Sequence, residues 1–545
     1  MKGLMQDWPL LVHRVLDHAA RWHGEREIIS RSVEGPMHRE TYRDLDRRAR
    51  ALASAAQAKL GISQGDIIAT MAWNGYRHME IWYGVMSLGA VVHTLNPRLF
   101  AEQLIYIVNH AEDQWIFTDL TFVSLFEKLQ DKLPSVKGFV IMTDAAHMPA
   151  STTLKNPICY EDLIAQGDTT FAWPVLDENT ACGLCYTSGT TGKPKGVLYS
   201  HRSNVLHAMA FSGGDVLALS SRDVVLPIVP MFHANAWSLV FGCPLSGTGI
   251  VMPGPKLDGA SVFELLDTTQ VTMSAAVPTV WLMLLQYLEQ NPTLKLPHLQ
   301  RVVIGGSSCP ESLMQAFVDK YDVDVIHGWG MTEMSPVGTV GKMKGSMMDI
   351  SPQELWKAKL KQGRPIFGVE MKITDDADTE LAHDGKVFGR LKVKGPAIAA
   401  AYFKDEGQTS FDAEGWFDTG DVSTIDEWGY MQITDRSKDV IKSGGEWISS
   451  IELENAAMGC DGVAEAAAIG VPHPKWDERP LLIIVKKPGA DVSKEHILAY
   501  MTGKIAKWWM PDDIIFADEI PHTATGKISK LQLRESFKNY RLPNI

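Results

Sequence analysis

Cysteine is scarce in this chain of 545 residues. Its six cysteines are too few and too scattered for a disulfide-stapled fold: Cys159, Cys182, Cys185, Cys243, Cys309 and Cys460. Cys182 and Cys185 form a C-x-x-C pair, which could indicate a redox pair or half a zinc site, but no second pair accompanies it. They stand in a short apolar run that we interpret as a strand, where residues three apart face opposite sides. We therefore expect both cysteines to pack and not to react.

The chain also lacks a long apolar run and an excess of positive charge. No stretch of about eighteen apolar residues occurs, so we expect no membrane-spanning helix. The N-terminal apolar stretch carries charges throughout, which indicates an amphipathic helix and not a signal peptide, and we expect a cytoplasmic protein. The formal net charge of −13 argues against a general nucleic-acid binder. It leaves room for an anionic ligand that is held by locally concentrated positive charge.

What the chain does contain is an alternation of helical and strand patterns. With 45% hydrophobic and 21% charged residues, it is ordinary globular material, and its length requires several domains. Between residues 41 and 119 we expect helices over LDRRARALASAAQAKL, HMEIWYGVMSLGA and AEQLIYIVNHA, and strands over IIATMAW and VVHTLN. Such alternation predicts an α/β fold with parallel strands between layers of helices.

The stretch YTSGTTGKPKG, from Tyr186 to Gly196, is rich in residue types that bind phosphate. It holds three glycines, five hydroxyl side chains and two lysines within eleven residues. Glycine lets backbone approach a ligand closely, hydroxyl and free N–H groups donate hydrogen bonds, and lysine supplies a point charge. The stretch therefore predicts a phosphate-binding loop after a buried strand. It is not a Walker A motif, because only two residues separate Gly189 from Gly192 and because Pro194 removes a donor where a Walker helix would begin.

This loop resembles the phosphate loop of the adenylate-forming superfamily, which includes acyl-CoA synthetases, firefly luciferases and peptide-synthetase adenylation domains. The resemblance extends over nearly the whole chain. It implies a large N-terminal domain of layered α/β subdomains with a small β-barrel-like part (residues 1–434), a hinge (435–439) and a small mobile α+β C-terminal domain (440–545). The nucleotide contacts that it implies within the loop are Thr187, Ser188, Gly189, Thr190, Thr191, Gly192 and Lys193.

Two further motifs suit the rest of a nucleotide. In GWGMTE (residues 328–333), Trp329 offers a flat face to a purine, Thr332 a hydroxyl to an α-phosphate, and Glu333 a carboxylate to Mg²⁺. Alone, the Thr-Glu pair is equally typical of a helix cap. In GWFDTGD, Asp421 could accept both ribose hydroxyls, although Asp and Gly also favour plain turns.

The resemblance favours the nucleotide-binding interpretation of both motifs over a plain helix cap or turn. It adds Gly328, Gly330, Met331 and Ile433 to the nucleotide site, and it assigns Thr187 together with Glu333 to the metal. The superfamily more often has Tyr where this chain has Trp329. That departure leaves stacking possible and removes the phenolic donor.

Two other segments are candidates for an acyl pocket. In PMFHANAW, His233 and Trp237 are four residues apart and would share a face of a helix, an arrangement more common in plain packing than in a site. The resemblance implies that His233 positions the substrate and that Trp237 acts as a gate. RVVIGGSSCP (301–310) is a β-rich run that ends where backbone can approach a planar ligand. The resemblance implies that adenine and the acyl group lie beside Gly305 and Gly306, with Ser307 and Ser308 as further nucleotide contacts and with Trp329 and Gly330 completing the acyl pocket.

The C-terminal region predicts a small α+β unit. We expect helices at IELENAAM and from Lys494, and strands at VAEAAAIGV, LLIIVKK and near IIFAD. Before them, DRSKDVIKSGGEWIS would pass alone for a polar linker and a turn. The resemblance implies that Lys438 is the pivot and that Arg436 contacts the nucleotide. It also implies that Gly444, Gly445 and Glu446 belong to the coenzyme A site, with Gly445 lining the pantetheine tunnel.

Lys527 follows Thr525-Gly526 in PHTATGKISK, where a solvated surface lysine is the ordinary interpretation. The resemblance implies that this lysine reaches into the large domain and bridges the carboxylate and the α-phosphate during adenylation. We therefore expect Lys527 to be the main catalytic residue, with Thr187, Glu333 and His233 as the other catalytic candidates.

These residue types suit an AMP-forming acid–CoA ligase. Attack of a carboxylate on the α-phosphorus of ATP builds up negative charge, which fixed donors and cations stabilise without a general base. The implied cofactors are ATP, Mg²⁺ and coenzyme A, and the implied partner is a small carboxylic acid. We expect no nucleic-acid partner, and homodimers are common in the family.

Other functions are open from the residues alone. A binding protein of the same fold that lost catalysis is opposed by the intact Lys527, Glu333 and Asp421, and luciferase-like and peptide-synthetase activities are further alternatives. Trp237 and its small neighbours suggest an apolar acyl group of short to medium length. The chain looks most like medium-chain fatty-acid ligases and 3-methylmercaptopropionate–CoA ligases, and we favour the latter over longer fatty-acyl or aryl acids.

Overall fold

The computed structural model describes residues 1, 3–187, 193–404, 410–444, 446–522 and 528–543, without the side chains of Glu446 and Trp447. We call residues 1–434 the large lobe and residues 440–543 the small lobe. The first elements in chain order are α1 (Val12–Trp22), β1 (Glu27–Arg31), β2 (Met37–Thr41), α2 (Tyr42–Ala55), β3 (Ile67–Met71), α3 (Tyr76–Ser87), β4 (Val91–Thr94), α4 (Ala101–Ala111), β5 (Trp115–Thr118), α5 (Val123–Leu129), β6 (Gly138–Ile141), β7 (Pro157–Cys159), α6 (Tyr160–Ile164) and β8 (Ala181–Tyr186).

The central elements are β9 (Gly196–Ser200), α7 (His201–Phe211), β10 (Val224–Pro227), α8 (Leu239–Ser246), β11 (Gly249–Met252), α9 (Gly259–Thr268), β12 (Met273–Ala276), α10 (Pro278–Gln290), β13 (Arg301–Ile304), α11 (Glu311–Gln315), β14 (Asp324–Gly330), β15 (Val337–Val340), α12 (Pro352–Leu360) and β16 (Arg364–Pro365). The last are β17 (Glu370–Thr374), β18 (Phe388–Lys394), β19 (Phe417–Ile425), β20 (Met431–Arg436), β21 (Ile441–Ser443), β22 (Glu446–Ile448), α13 (Ser450–Met458), β23 (Val463–His473), β24 (Asp477–Lys486), α14 (Lys494–Met501), β25 (Asp513–Phe516) and α15 (Lys530–Ser536).

Two mainly parallel sheets form the body of the large lobe. One has seven strands in the order β7-β6-β5-β3-β4-β8-β9, and the other has nine in the order β16-β15-β14-β13-β12-β10-β11-β1-β2. Their central strands are short apolar runs such as Phe139–Ile141, buried on both faces as parallel strands usually are. Helix α3 is buried along its whole length, because side chains of both sheets and of α2 share one core with it.

Two smaller sheets complete the fold. The antiparallel sheet β17-β18-β19-β20 has its own core, which includes Ile373, Leu391 and Trp329 from the nearby β14. The small lobe has the sheet β22-β21-β24-β23, with β25 parallel to β24, and carries α13, α14 and α15. The predicted fold class, layered α/β with a small α+β C-terminal unit, is confirmed.

Most predicted elements occur close to their expected positions. Helix α4 has the predicted bounds, and the strands and helices expected in the small lobe are present. All six cysteines are buried and unbridged, which agrees with a packing role. Within the described residues, no helix has both the length and the apolar character that crossing a bilayer requires.

A buried ionic network fastens the first helices together. Arg48 on α2 contacts Glu80 on α3 at 2.6 Å and Glu161 on α6 at 3.0 Å, and Tyr160 donates a hydrogen bond of 2.6 Å to Glu80. Glu40 lies 3.9 Å from Arg48 and is 6% exposed. Three carboxylates therefore share one guanidinium, and two of them, Glu40 and Glu80, are buried.

Candidate functional site

One cavity of about 1800 Å³ lies at the carboxyl ends of both parallel sheets and reaches the small lobe. Its wall includes the residues directly after β8, β12, β13 and β14, which is where parallel α/β sheets bind their ligands. The predicted site residues on this wall are Thr187, Lys193, His233, Trp237, Gly305, Gly306, Ser307, Ser308, Gly328, Trp329, Gly330, Met331, Thr332, Glu333, Asp421, Ile433, Arg436 and Lys438. Segments far apart in the sequence therefore meet at one place.

Some predicted residues are not on this wall. Gly444 lies elsewhere, with a φ of +61° and its backbone N–H donating to the carbonyl of Trp476 at 2.9 Å. The phosphate-loop residues 188–192, Gly445 and Lys527 lie outside the described residues, and so does the side chain of Glu446.

The two ends of the phosphate loop are held together by hydrogen bonds. Strands β8 and β9 pair antiparallel, and the N–H of Thr187 donates to the carbonyl of Lys195 at 2.9 Å. The N–H of Lys195 donates back to the Thr187 hydroxyl at 3.4 Å. Thr187 and Lys193 thus stand at the two ends of the loop, both on the cavity wall.

Glu333 occupies a buried position at the cavity wall, with 5% of its surface exposed. Its Oε1 accepts a 2.7 Å hydrogen bond from the hydroxyl of Tyr402, and its carbonyl accepts from the N–H of Ala399. Burial raises the pKa of Glu333, while the hydrogen bond from Tyr402 acts in the opposite direction. A nearby cation would stabilise the ionised form of a carboxylate in this environment.

The residues around Glu333 fit a magnesium ion. Mg²⁺ takes hard oxygen ligands and is usually held by one or two carboxylates, water and substrate phosphates. Glu333 and the hydroxyl of Thr187 supply such oxygens on one cavity wall. Among the described residues there is no group of three or more His, Cys, Asp or Glu that would form a complete protein cage.

Trp329 makes a contact that the sequence did not predict. Its indole N–H donates a 2.9 Å hydrogen bond to Oδ2 of Asp421, and Nε of Arg436 lies 3.1 Å from Oδ1 of the same carboxylate. The missing phenolic donor is therefore replaced by an indole donor. The ring packs against Gly338, where a Cβ would lie 3.0 Å from its Cζ3 atom and 2.4 Å from Cε of Met334.

The segment that carries Trp237 differs from the helix that was considered. Ala234, Asn235, Ala236, Trp237 and Ser238 all have left-handed backbone angles, with φ between 46° and 65°. The assumption of a shared right-handed helical face for His233 and Trp237 was wrong. L-residues pay a steric cost in this conformation, and strain of this kind is often found at functional sites.

The left-handed turn places the indole of Trp237 over the glycines that follow β13. Its Cη2 atom would lie 3.2 Å from a Cβ on Gly305, and its Cζ2 atom 3.8 Å from one on Gly306. Any side chain at Gly305 would also approach the carbonyl of Gly328 to 2.8 Å. This part of the wall therefore depends on glycine.

Ser308 links the two lobes. Its hydroxyl and the side-chain amide of Asn455 on α13 exchange hydrogen bonds of 3.1 and 2.9 Å. The predicted nucleotide contact at Ser308 is thus also a contact between the large lobe and the small lobe.

The predicted hinge begins inside a strand. Asp435 and Arg436 are the last residues of β20, and Asp435 is 1% exposed. Its carboxylate accepts hydrogen bonds of 2.7 and 2.6 Å from the N–H and hydroxyl of Ser450, which fixes the start of α13. Lys438 lies on the cavity wall, and burial lowers its pKa.

The small lobe turns His522 and Ile528, which flank the segment with Lys527, toward the cavity. His522 and Ile528 pair with each other and both line the cavity wall. Nε2 of His522 lies 2.6 Å from Oε1 of Glu465 on β23, which raises the pKa of His522. The structure therefore shows a lobe orientation in which the residues on either side of the segment with Lys527 face the nucleotide motifs.

Four contributors were absent from the sequence prediction: Tyr402, Asn455, Gly338 and His522. Tyr402, Asn455 and His522 act through partners distant in the chain, and Gly338 lies close to Trp329 in the sequence but outside the motifs that were recognised. The only sequence sign was the position of His522 five residues before Lys527 within the same recognised motif.

Models of known families match both parts of the chain. The description "AMP-binding enzyme" matches residues 16–403, and "AMP-binding enzyme C-terminal domain" matches residues 452–527. The chain belongs to the AMP-binding enzyme family. The predicted superfamily is therefore confirmed.

Two relatives of this family member that align over almost its full length are CoA ligases. It is 50% identical over 539 residues to a 3-methylmercaptopropionyl-CoA ligase of Ruegeria lacuscaerulensis, with 99% of each chain covered. It is 47% identical to a medium-chain-fatty-acid–CoA ligase of Ectopseudomonas oleovorans, with 98% of each chain covered. A solved anthranilate–CoA ligase in complex with anthranoyl-AMP is 24% identical and has the same fold, with a TM-score of 0.87 over 99% of each chain.

The predicted enzyme class, an AMP-forming acid–CoA ligase, is confirmed by these relatives. ATP and coenzyme A fit this class as substrates.

Proposed function

We propose that this AMP-binding enzyme joins a carboxylic acid with an uncharged, apolar tail of short to medium length to coenzyme A, and that 3-methylmercaptopropionate is the preferred acid. The observation that carries the proposal is that Trp237 lies directly over Gly305 and Gly306 on the cavity wall. We call these two glycines the glycine wall. Apolar neighbours on the same wall, Val277 and Val303, offer no charged partner to a substrate tail. The identity to the Ruegeria ligase supports the choice of acid.

In the first half-reaction, an oxygen of the substrate carboxylate attacks the α-phosphorus of ATP, and the bond to the β-phosphate oxygen breaks. Acyl-AMP forms and pyrophosphate leaves. We assign Asp421 to the ribose hydroxyls and the motif YTSGTTGKPKG to the phosphates. Mg²⁺, when bound beside Glu333, would neutralise charge on the phosphates.

Lys527 is proposed to supply the ammonium group that bridges the carboxylate and the α-phosphate. The facing of His522 and Ile528 toward the cavity supports this proposal. No general base is required, since the substrate carboxylate is already ionised near neutral pH.

In the second half-reaction, the thiol sulfur of coenzyme A attacks the acyl carbonyl carbon, and the bond to AMP breaks. The thiol proton leaves to solvent, and AMP carries away the electron pair. We propose that the small lobe turns about Lys438 between the two steps, with residues 435–439 as the hinge and 440–545 as the moving domain. Such hinge motions are common in enzymes with sequential steps.

Medium-chain fatty acids are the second candidate, because the Ectopseudomonas ligase is nearly as similar. The test is kcat/KM for 3-methylmercaptopropionate, butyrate, hexanoate, octanoate and cinnamate under identical ATP and coenzyme A. We expect the highest value for 3-methylmercaptopropionate and a loss of at least about tenfold for octanoate, since a filled pocket discriminates by roughly this factor per misfitting group.

A matched variant sharpens this test. Trp237→Ala should raise relative turnover of octanoate by uncovering the glycine wall, whereas Trp356→Ala, on α12 and outside the cavity wall, should leave the ranking unchanged. A wild-type preference for octanoate would reject the proposed acid and favour the second candidate.

A further inference from the structure

We propose that Lys530 is a positioning residue for the adenylation step, because its ammonium group joins the small lobe to the hinge through Ser450 and Asp435. We call these three residues together with Glu454 the hinge cluster: Asp435, Ser450, Glu454 and Lys530. The inference rests on the proposed acid–CoA ligase function and names a contact that holds the small lobe in its observed orientation.

Hydrogen bonds run through the hinge cluster in one direction. Nζ of Lys530 donates to the hydroxyl of Ser450, and this hydroxyl donates to Oδ2 of Asp435 at 2.6 Å. The backbone N–H of Ser450 donates to the same oxygen at 2.7 Å. Ser450 is fully buried, and the side chain of Lys530 is 10% exposed. Hydrogen bonds linked in this way polarise one another, so the ammonium group strengthens the bond between Ser450 and Asp435.

Lys530 also lies between two carboxylates that belong to different sides of the hinge. Its Nζ lies 2.8 Å from Oε1 of Glu454 on α13, a residue that is 9% exposed. Burial raises the pKa of Asp435 and of Glu454, and the charge of Lys530 acts in the opposite direction on both. Without this ammonium group, the two buried carboxylates would repel each other across the hinge.

The proposed turn about Lys438 separates the members of the hinge cluster. Asp435 lies before this pivot, at the end of β20, whereas the other three members belong to the small lobe. The contacts of Lys530 with Glu454 and Ser450 therefore move with the lobe, and the bond from Ser450 to Asp435 has to break. The hinge cluster thus stabilises the observed orientation relative to the one after the turn.

Helix α15 contacts the other end of the hinge as well. Nη1 of Arg534 lies 2.7 Å from Oδ1 of Asp439. Lys530 and Arg534 are four residues apart on α15, so their side chains lie on the same face of the helix. Asp439 follows the pivot and moves with the small lobe, so its pair with Arg534 can persist in both orientations. Of these two cations, Lys530 is the one whose surroundings change with the turn.

An ion pair within the small lobe could also serve folding alone, and Lys494 provides the comparison. Its Nζ lies 2.8 Å from Oδ1 of Asp513, and Lys494 is outside the cavity wall. Asp513 is 9% exposed, as Glu454 is. Lys530 differs from Lys494 by its link through Ser450 to a carboxylate of the hinge. A role in folding alone would therefore make the two lysines equivalent in their effects on catalysis.

The test compares Lys530→Met with Lys494→Met in the full-length enzyme, with the best acid of the substrate panel and with its acyl-AMP. We expect Lys530→Met to lower kcat for pyrophosphate release about tenfold or more, since a hydrogen bond from a charged group is lost. KM for ATP should stay within about twofold of wild type, because Lys530 is not assigned to the nucleotide. Thioester formation from supplied acyl-AMP should be unchanged, and Lys494→Met should alter neither rate.

Two further variants separate positioning from a loss of folding. Lys530→Arg keeps the positive charge and should retain at least about a third of the wild-type rate of pyrophosphate release. Asp435→Asn, added to Lys530→Met, removes the repulsion across the hinge and leaves an amide oxygen as acceptor for Ser450. It should raise the rate of Lys530→Met about threefold or more, whereas a folding defect of the small lobe would not be relieved by a substitution in the hinge.

Equal slowing of both half-reactions by Lys530→Met would overturn the inference. So would a rate of pyrophosphate release equal to that of Lys494→Met, or a double variant no faster than Lys530→Met. If the wild-type enzyme releases no pyrophosphate with any acid of the panel, the proposed function fails and the inference with it, and this result is seen before any variant is compared.

Discussion

The carboxylate of Asp421 is held by two donors of different kinds, the indole N–H of Trp329 and the guanidinium of Arg436. The two bonds direct its oxygens within a buried site, where an acceptor with fixed orientation can discriminate between ligands. At the scale of single residues, Trp329 is thus a positioning residue for the proposed ribose contact as well as a candidate adenine surface.

Trp329→Phe should therefore impair ATP binding without leaving a large cavity in the core. The phenyl ring keeps most of the packing but removes the donor to Asp421, so we expect KM for ATP to rise about five- to tenfold, the usual effect of losing a hydrogen bond to a charged group. Initial rates of pyrophosphate release against ATP concentration measure this. Trp281→Phe, which also removes a buried indole donor (to the carbonyl of Ala276), should leave KM for ATP unchanged. Equal effects of both variants would contradict the role of Trp329.

The sequence could predict which residue types bind the nucleotide but not how they are oriented. Asp421 and Glu333 were found because they stand in recognisable motifs. Trp329 was found as a candidate adenine surface, but its bond to Asp421 was not predicted, and Tyr402 was missed, since these contacts join positions 92 and 69 residues apart. Such pairings depend on the tertiary fold.

Glu40 is a residue whose protonation should affect stability. Burial raises its pKa to about 7, and the neighbouring Glu80 is shifted in the same direction. The folded protein then keeps a proton that the unfolded chain releases above its ordinary pKa near 4.5, so stability is full below this value and falls as pH rises toward 7.

Glu40→Gln should accordingly flatten the pH dependence. Between pH 5 and 8, we expect the free energy of unfolding of the variant to rise relative to that of wild type by on the order of 3 kcal/mol. This corresponds to about 1.4 kcal/mol for each unit of pKa shift. Urea unfolding at a series of pH values measures this. Glu289→Gln, at a side chain that is 61% exposed, is the control. A wild-type stability that rises from pH 5 to 8 with Glu40→Gln unchanged would contradict the account.

At the scale of elements, the left-handed turn from Ala234 to Ser238 is the clearest case of tertiary structure overriding local preference. Five consecutive residues other than glycine adopt a conformation that costs roughly 1–2 kcal/mol each for L-residues. The turn places Trp237 over Gly305 and Gly306, so this conformational cost falls at the proposed acyl pocket.

No local pattern could have predicted this turn, because its residues are ordinary helix and loop formers. Helix α4, by contrast, was predicted with its observed bounds, since its apolar residues recur at helical spacing. Elements that follow their own propensities were predictable, and the strained one at the candidate site was not.

Ala236→Gly tests whether the turn is strained. Ala236 and Ala467 are both fully buried, but Ala236 has a φ of 46° and Ala467 lies within β23. We expect Ala467→Gly to lower the free energy of unfolding by about 1 kcal/mol, and Ala236→Gly to leave it unchanged or higher, because glycine adopts the left-handed region freely. Denaturant unfolding measures both. Equal losses at the two positions would show that the turn is not strained.

At the scale of the whole molecule, the two lobes meet through a few polar contacts. Ser308 of the large lobe bonds Asn455 of the small lobe, and the hinge residue Asp435 bonds Ser450 at the start of α13. In this orientation His522 and Ile528 face the cavity. A family resemblance could predict two lobes and a hinge, but it could not predict which side chains connect them, because such contacts vary with the residues that happen to meet.

Asn455→Ala should selectively weaken this orientation. We expect pyrophosphate release to slow about three- to tenfold, corresponding to the loss of about one hydrogen bond. Thioester formation from supplied acyl-AMP should be unchanged. Asn109→Ala, which removes an exposed amide contact to the carbonyl of Lys132, should alter neither step. Slowing of both steps by Asn455→Ala would show that its contact is not specific to one orientation.

In the proposed mechanism, the residues gathered around the cavity join an acid to AMP before coenzyme A takes part. The direct measurement is a single-turnover reaction of the enzyme with ATP, Mg²⁺ and 3-methylmercaptopropionate, without coenzyme A, followed by mass spectrometry of the bound product. We predict close to one acyl-AMP per chain, its conversion to the thioester when coenzyme A is added, and its loss in Lys527→Ala and Asp421→Ala. Thioester formation with no detectable acyl-AMP, or full acyl-AMP formation by Lys527→Ala, would contradict the account.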